Sequence, residues 1–152
     1  GEASGDVAGT NPMVLSGIAL AGANMVVGIG AADGRWTAEE VSSLDLRGTE
    51  LVVLSACDTG RGTYTDGQGV VGLRRAFSVA GVQTVVMSLW SVDDAASQRL
   101  MQGLYRNLSR KRSGLRAAPA LRGSQLELLA YNLEKYGEAR PDTWGAFIVS
   151  GR

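Results

Sequence analysis

At 152 residues the chain is long enough for one domain with a proper core. Fifteen basic and fifteen acidic residues cancel, so overall charge argues for neither a nucleic acid nor an anionic membrane as partner. Histidine is absent and cysteine occurs once, which leaves no ligand set for tetrahedral zinc and no internal disulfide; a reducing, cytoplasmic setting fits, and no cofactor is expected.

The opening GEASGDVAGTNP reads as loop, as though the segment begins inside a domain. Met13 to Ala32 carries no charge and approaches the length of a membrane span, but Ser16, Asn24 and several glycines interrupt it, and no membrane helix is expected. No secretory signal is recognisable. Within that stretch Ser16–Ala21 predicts a short strand closed by Gly22. Thr37 stands three residues before Glu40, a capping-box spacing that predicts a short helix to about Ser43.

Leu51–Ala56 is a continuous run rich in Val and Leu, as expected of a strand buried on both faces of a parallel sheet. A glycine-dense loop follows, Thr59 to Gly69. Val70, Leu73, Phe77 and Ala80 then recur at helical spacing with Arg74 and Arg75 opposite, and Gly81 stops the helix. Val82–Leu89 predicts a second buried strand. Asp93 and Asp94 open a longer helix, where acids suit the positive end of the dipole; its apolar face is Leu100, Met101, Leu104, Tyr105 and Leu108. A basic linker leads to a helix over Ala117–Leu133. Pro141-Asp142 marks a turn before a closing strand, Trp144–Val149. Strand, helix, strand, helix, helix, strand predicts an α/β fold with a largely parallel sheet. Function in such sheets gathers at the carboxyl ends of the strands, where Cys57 and Trp90 to Asp94 fall.

Two motifs compete for a function. GQGVVG at 67–72 spells G-x-G-x-x-G, with Asp93 downstream. A dinucleotide fold needs those glycines directly after the strand, and here about ten residues intervene, so NAD or nucleotide binding is not expected. No P-loop pattern exists. Between Asp94 and Glu127 lie Arg99, Arg106, Arg110, Lys111, Arg112, Arg116 and Arg122 without an acid. Such a run is more often a solvated helix face than a nucleic-acid surface, and the zero net charge favours that view.

SGIALAGAN (16–24), DGRWTAEEV (33–41), LDLRGTELVVLSACDTG (44–60), GVVGLRRAF (69–77), AGVQTVVMSLWSVDD (80–94) and WGAFIVSG (144–151) together resemble the second part of a CHAT domain. These caspase-like modules, of the caspase and separase group, are commonly attached to tetratricopeptide repeats. The resemblance implies a caspase–hemoglobinase fold, with this chain as the C-terminal portion of the domain, in a cytoplasmic, bacterial protein. It also implies cysteine endopeptidase activity through a Cys–His dyad, acting on a protein substrate under the control of a tetratricopeptide-repeat or other regulatory domain in the same protein or complex.

By that resemblance Cys57 is the nucleophile. The partner histidine belongs to an earlier His-Gly motif, roughly 50 residues before the cysteine. Counting back reaches Gly1, which would be the glycine of that motif; its N–H and that of Cys57 would form the oxyanion hole. The isolated segment, lacking histidine, would be inactive; the alternative is a pseudo-protease serving as an interaction module. Without the resemblance Cys57 reads as a buried small hydrophobe. Asp58 reads as a turn residue. In the related separases, a stretch similar to Leu89–Asp94 supplies an acid to the specificity pocket. Asp94 matches that acid best and Asp93 is the reserve, although helix capping explains at least one of them. Trp90 is either a pocket wall or core. Arg61 is the named residue for the opposite preference, a cut after Asp.

Overall fold

The computed structural model describes residues 16–20, 23, 34–55, 68–110 and 116–151. Strand β1 (Gly17–Ala19) pairs antiparallel with β2 (Arg35–Thr37), Ile18 opposite Trp36. The sequence pattern indicates β1 but not β2, because Arg-Trp-Thr is too short to show alternation. Thr37 ends β2 and also caps α1 (Ala38–Ser42), so the chain passes from strand to helix without a loop. The expected capping box is present: Glu40 N–H donates to Thr37 Oγ1 at 3.2 Å, and Thr37 N–H donates to Glu40 Oε2 at 2.8 Å.

Strand β3 (Leu51–Leu54) is followed, after residues outside the described set, by α2 (Gln68–Val79) and β4 (Thr84–Ser88). Gly81 lies between the last two with φ 99°, and a Cβ there would stand 2.6 Å from Arg47 Cγ, so glycine is required for both conformation and space. β3 and β4 run parallel, Leu51 opposite Thr84 and Leu54 opposite Met87. β4 is buried along its whole length, whereas all four residues of β3, at the edge of the described sheet, are half-buried. Full burial of β3 on both faces is therefore not observed among the described residues.

Helix α3 (Asp94–Ser109) and helix α4 (Ala117–Tyr136) form an antiparallel hairpin on one face of this sheet. Leu100 and Leu104 are completely buried between helix and sheet, and truncating side chains so placed costs about 2–5 kcal/mol. Tyr105, expected on the apolar face, is instead exposed: it lies about 100° further round the helix than Leu104. The helices approach closely at Gly103. A Cβ there would stand 2.5 Å from Ser124 Oγ, and Ser124 is itself buried, its hydroxyl donating to the Leu100 carbonyl.

After α4 comes a single helical turn, α5 (Pro141–Trp144), in place of the expected simple turn, and then β5 (Phe147–Gly151). β5 pairs antiparallel with β4, Val86 opposite Val149. The described sheet is thus mixed, in the order β3, β4, β5, and the closing strand departs from the expected parallel arrangement. Parity explains it. One crossover helix returns the chain to run parallel, but a two-helix hairpin adds a reversal, so the strand after it must run the other way. Alternation then sorts the side chains. Val86 and Phe147, with Leu51, Val53 and Val149 at their margin, pack toward α3 and α4; Val85 and Met87, with Val52, Leu54 and Ile148, pack toward α1 and α2.

Gly103→Ala should destabilise the domain by about 1–3 kcal/mol, although alanine is the better helix former, because the new methyl must displace Ser124. Urea unfolding of the two proteins checks it; a stabilised variant would show that the helices can part without cost.

Candidate functional site

The parallel pair β3–β4 brings two strand ends together. β3 ends at Leu54, opposite Met87, three residues before Cys57. Cys57 and Gly1 lie outside the described residues, as do Asp58, Arg61 and the linker residues Lys111 and Arg112. What is described of the site is therefore the far side, the segment leaving β4.

There Leu89 and Trp90 are 41% and 44% exposed, so Trp90 is not core. Leu89 N–H donates to the Ala146 carbonyl at 2.9 Å, which extends the pairing toward β5 by one residue. Trp90 Nε1–H donates to the Asp142 carbonyl at 3.0 Å, tying the segment to α5. Asp93 is the N-cap of α3: its Oδ1 accepts from Ala95 N–H at 2.8 Å and Ala96 N–H at 3.3 Å. Asp94, the first helical residue, is exposed and joins no ion pair among the described residues. The two neighbouring acids are chemically distinct. The carboxylate of Asp93 is held by backbone, and that of Asp94 projects into solvent.

A concavity opens beside Asp93. This groove, of about 100 Å³, lies between the start of α3 and the end of α4 and includes Arg99, Tyr131, Lys135, Tyr136 and Arg140. The Arg99 guanidinium lies 3.7 Å from the centroid of Tyr131. Lys135 Nζ donates to Tyr131 Oη at 2.7 Å and sits 5.1 Å from the Tyr136 ring, and Arg140 is 5.1 Å from the same ring. The two rings meet edge to face, centroids 6.3 Å apart. The hydrogen bond from Lys135, helped by the charges of Lys135 and Arg99, holds the Tyr131 phenol below its ordinary range; the same bond raises Lys135. Sequence reading treats Arg99 as one member of a solvated basic run and does not mark the others. The signal present was Tyr131-x-x-x-Lys135, neighbours on one helix face.

Among the described residues no group of His, Cys, Asp or Glu is placed to hold a metal ion, and no helix is long and apolar enough to cross a membrane. GQGVVG begins outside the described residues, but from Gln68 the chain is already helical, with the described part of β3 ending at Leu54.

A helix-flanked sheet with a cysteine following one strand and an acid-capped helix following the next is the arrangement the sequence motifs imply. The family model of the CHAT domain matches residues 3–152, and the chain belongs to that family. It is similar to Tetratricopeptide repeat protein 28 of Mus musculus, 35% identical over 109 residues, or 71% of this chain. To Tetratricopeptide repeat protein 28 of Homo sapiens it is 34% identical over 115 residues, or 76% of this chain. The chain spans 4% of the length of either relative. No solved structure matches.

Asp93→Ala should cost about 1 kcal/mol by removing the cap of α3, and Asp94→Ala distinctly less; chemical unfolding of both variants tests the ranking, and equal losses would deny Asp93 its capping role. Lys135→Met should move the alkaline titration of Tyr131 upward, toward an ordinary phenol. The bonded pair favours phenolate beside ammonium. Its contribution therefore grows as pH rises through the lowered pKa of Tyr131 and is lost as pH passes the raised pKa of Lys135. Phenolate absorbance reads the midpoint, and an unchanged value would show that the bond does not persist in solution.

Proposed function

We propose that this CHAT domain is a cysteine endopeptidase module that cuts a partner protein, with Cys57 as nucleophile. The observation that carries the proposal is that β3, one of a parallel β3–β4 pair, ends three residues before Cys57 in the sequence, in a chain of the CHAT family. The thiolate attacks the scissile carbonyl carbon, and the oxyanion is held by the N–H groups of Cys57 and Gly1. Catalysis requires an imidazole, which these 152 residues do not contain. It removes the thiol proton and then gives it to the departing amine, after which water hydrolyses the thioester.

Leu89 to Asp94 would form one wall of the substrate site, with Trp90 as an exposed apolar surface. Asp94 is the better of the two acids to receive a basic side chain before the cut, because the Asp93 carboxylate already accepts two backbone N–H groups. An Arg could pair with Asp94 through two parallel hydrogen bonds. Asp93 is the reserve, and Arg61 would serve the opposite preference, a cut after Asp. The name of the mammalian relatives supports regulation by tetratricopeptide repeats in the same protein or complex. The proposed setting is the cytoplasm, with nucleic acid involved only indirectly if at all and no membrane.

A second reading is favoured by one observation, the absence of histidine from all 152 residues: a catalytically inactive CHAT module that only binds its partner. Cys57→Ala in the full-length protein decides between the two. It should reduce cleavage of the partner by on the order of 10³-fold or more without loss of folding. Undiminished cleavage would remove Cys57 from the mechanism, and a wild type that binds without cutting would establish the inactive module. Mass-spectrometric mapping of the cut bond, in wild type and Asp94→Ala, tests specificity. Cleavage after Arg or Lys that weakens in the variant is expected; a cut after Asp would transfer the role to a basic residue.

A further inference from the structure

We propose that the groove between the start of α3 and the end of α4 is a binding site for the carboxylate side chains of an acidic segment of a protein partner. The proposal does not depend on the Cys57 chemistry and holds whether or not the domain cleaves peptide bonds. Arg99, Lys135 and Arg140 converge on it, against the single carboxylate of Asp93 on its wall, which the helix N-terminus already engages. Among the described residues the ion pairs join Arg47 to Asp45, Arg106 to Glu127 and, at 3.8 Å, Arg140 to Asp142; Arg99 and Lys135 are in none. Two cations held against aromatic rings without a carboxylate partner leave an excess of positive charge in a concave, solvent-accessible place.

The site is also built rather than incidental. Arg140 has φ 46°, the left-handed region, which a non-glycine residue adopts only when its surroundings hold it there. Side chains pin the chain on either side of it. Buried Asn132 donates to Thr143 Oγ1 at 2.9 Å, Thr143 Oγ1 donates to the Arg140 carbonyl at 2.8 Å, and Trp144 Nε1–H donates to the Ala139 carbonyl at 2.8 Å. The backbone at Arg140, on the rim of the groove, is therefore fixed before any ligand arrives, which lowers the ordering cost of binding.

Charge and geometry select the occupant. A guanidinium and an ammonium side by side suit a carboxylate, which the guanidinium can meet through two hydrogen bonds. A nucleic acid would need open ring faces for base stacking, and the Tyr131 face is covered by Arg99 at 3.7 Å. The groove, about 100 Å³, admits a side chain rather than a folded surface.

The test uses the full-length protein and a labelled octaglutamate peptide, with binding read by fluorescence anisotropy at low and at physiological ionic strength. Arg99→Gln combined with Lys135→Gln should weaken binding by about tenfold or more. Arg116→Gln combined with Arg122→Gln, which removes the same charge from exposed positions outside the groove, should leave it within about twofold. Arg99→Glu with Lys135→Glu should lose octaglutamate and gain octalysine, a result no unfolded variant would give. Equal losses in the two glutamine pairs would overturn the proposal in favour of a general surface field. Failure of the wild type to bind, or tighter binding of inorganic phosphate or an oligonucleotide lost in the same groove variant, would overturn it as well.

Discussion

The close approach of α3 and α4 at Gly103 and Ser124 is the constraint on which most of the described architecture depends. With a side chain at Gly103 the two helices could not lie against each other at this spacing, and the Ser124 hydroxyl could not reach the Leu100 carbonyl. The two packed helices form a hairpin, so the chain makes two long helical passes between β4 and β5. The second strand must then return antiparallel to the first. That return delivers residues 139–145 to the end of β4, where Trp90 donates to the Asp142 carbonyl. The two-helix hairpin, packed closely at Gly103, thus sets both the direction of the last strand and the neighbour of the candidate substrate segment.

The segment from Leu89 to Asp94 shows how stability and function divide two adjacent, chemically identical side chains. The N-terminus of α3 has backbone N–H groups that need acceptors, and Asp93 supplies one. Once that is done, Asp94 is left at the surface with its charge uncommitted. The same cap also shapes the neighbouring groove: a carboxylate held by helix N–H groups is less available to Arg99 and Lys135, so these cations remain unneutralised beside it. A local solution to helix capping therefore sets the charge left at the surface by Asp94 and the electrostatic character of the groove beside Asp93.

The aromatic and basic residues of that groove also restrain one another. Tyr131 takes a hydrogen bond from Lys135 and a guanidinium on its ring, and Tyr136 meets Tyr131 at its edge. Arg and Lys side chains in water lose considerable rotamer freedom on binding a ligand. Stacked on rings, they have already given up part of it. The arrangement is consistent with recognition by a preorganised surface rather than with solvated charge.

The amino-acid sequence by itself determined what depends on near neighbours in the chain. The capping box at Thr37, the acidic start of α3 and the helical spacing of Leu73, Phe77, Leu100 and Leu104 are all short-range patterns, and each is realised in the fold. The ordered motifs from SGIALAGAN to WGAFIVSG sufficed for the family and placed Cys57 after a strand. Only the tertiary structure decided the rest. The direction of β5 follows from the two-helix hairpin before it, and the pairing of β1 with β2 joins segments separated by a long, mostly apolar stretch. The groove assembles Arg99 from one helix, Tyr131, Lys135 and Tyr136 from the next, and Arg140 from the turn beyond. Helical spacing links Tyr131 to Lys135, but nothing local links them to Arg99, whose proximity is created by the reversal between α3 and α4, and a reversal is a property of packing rather than of any single segment.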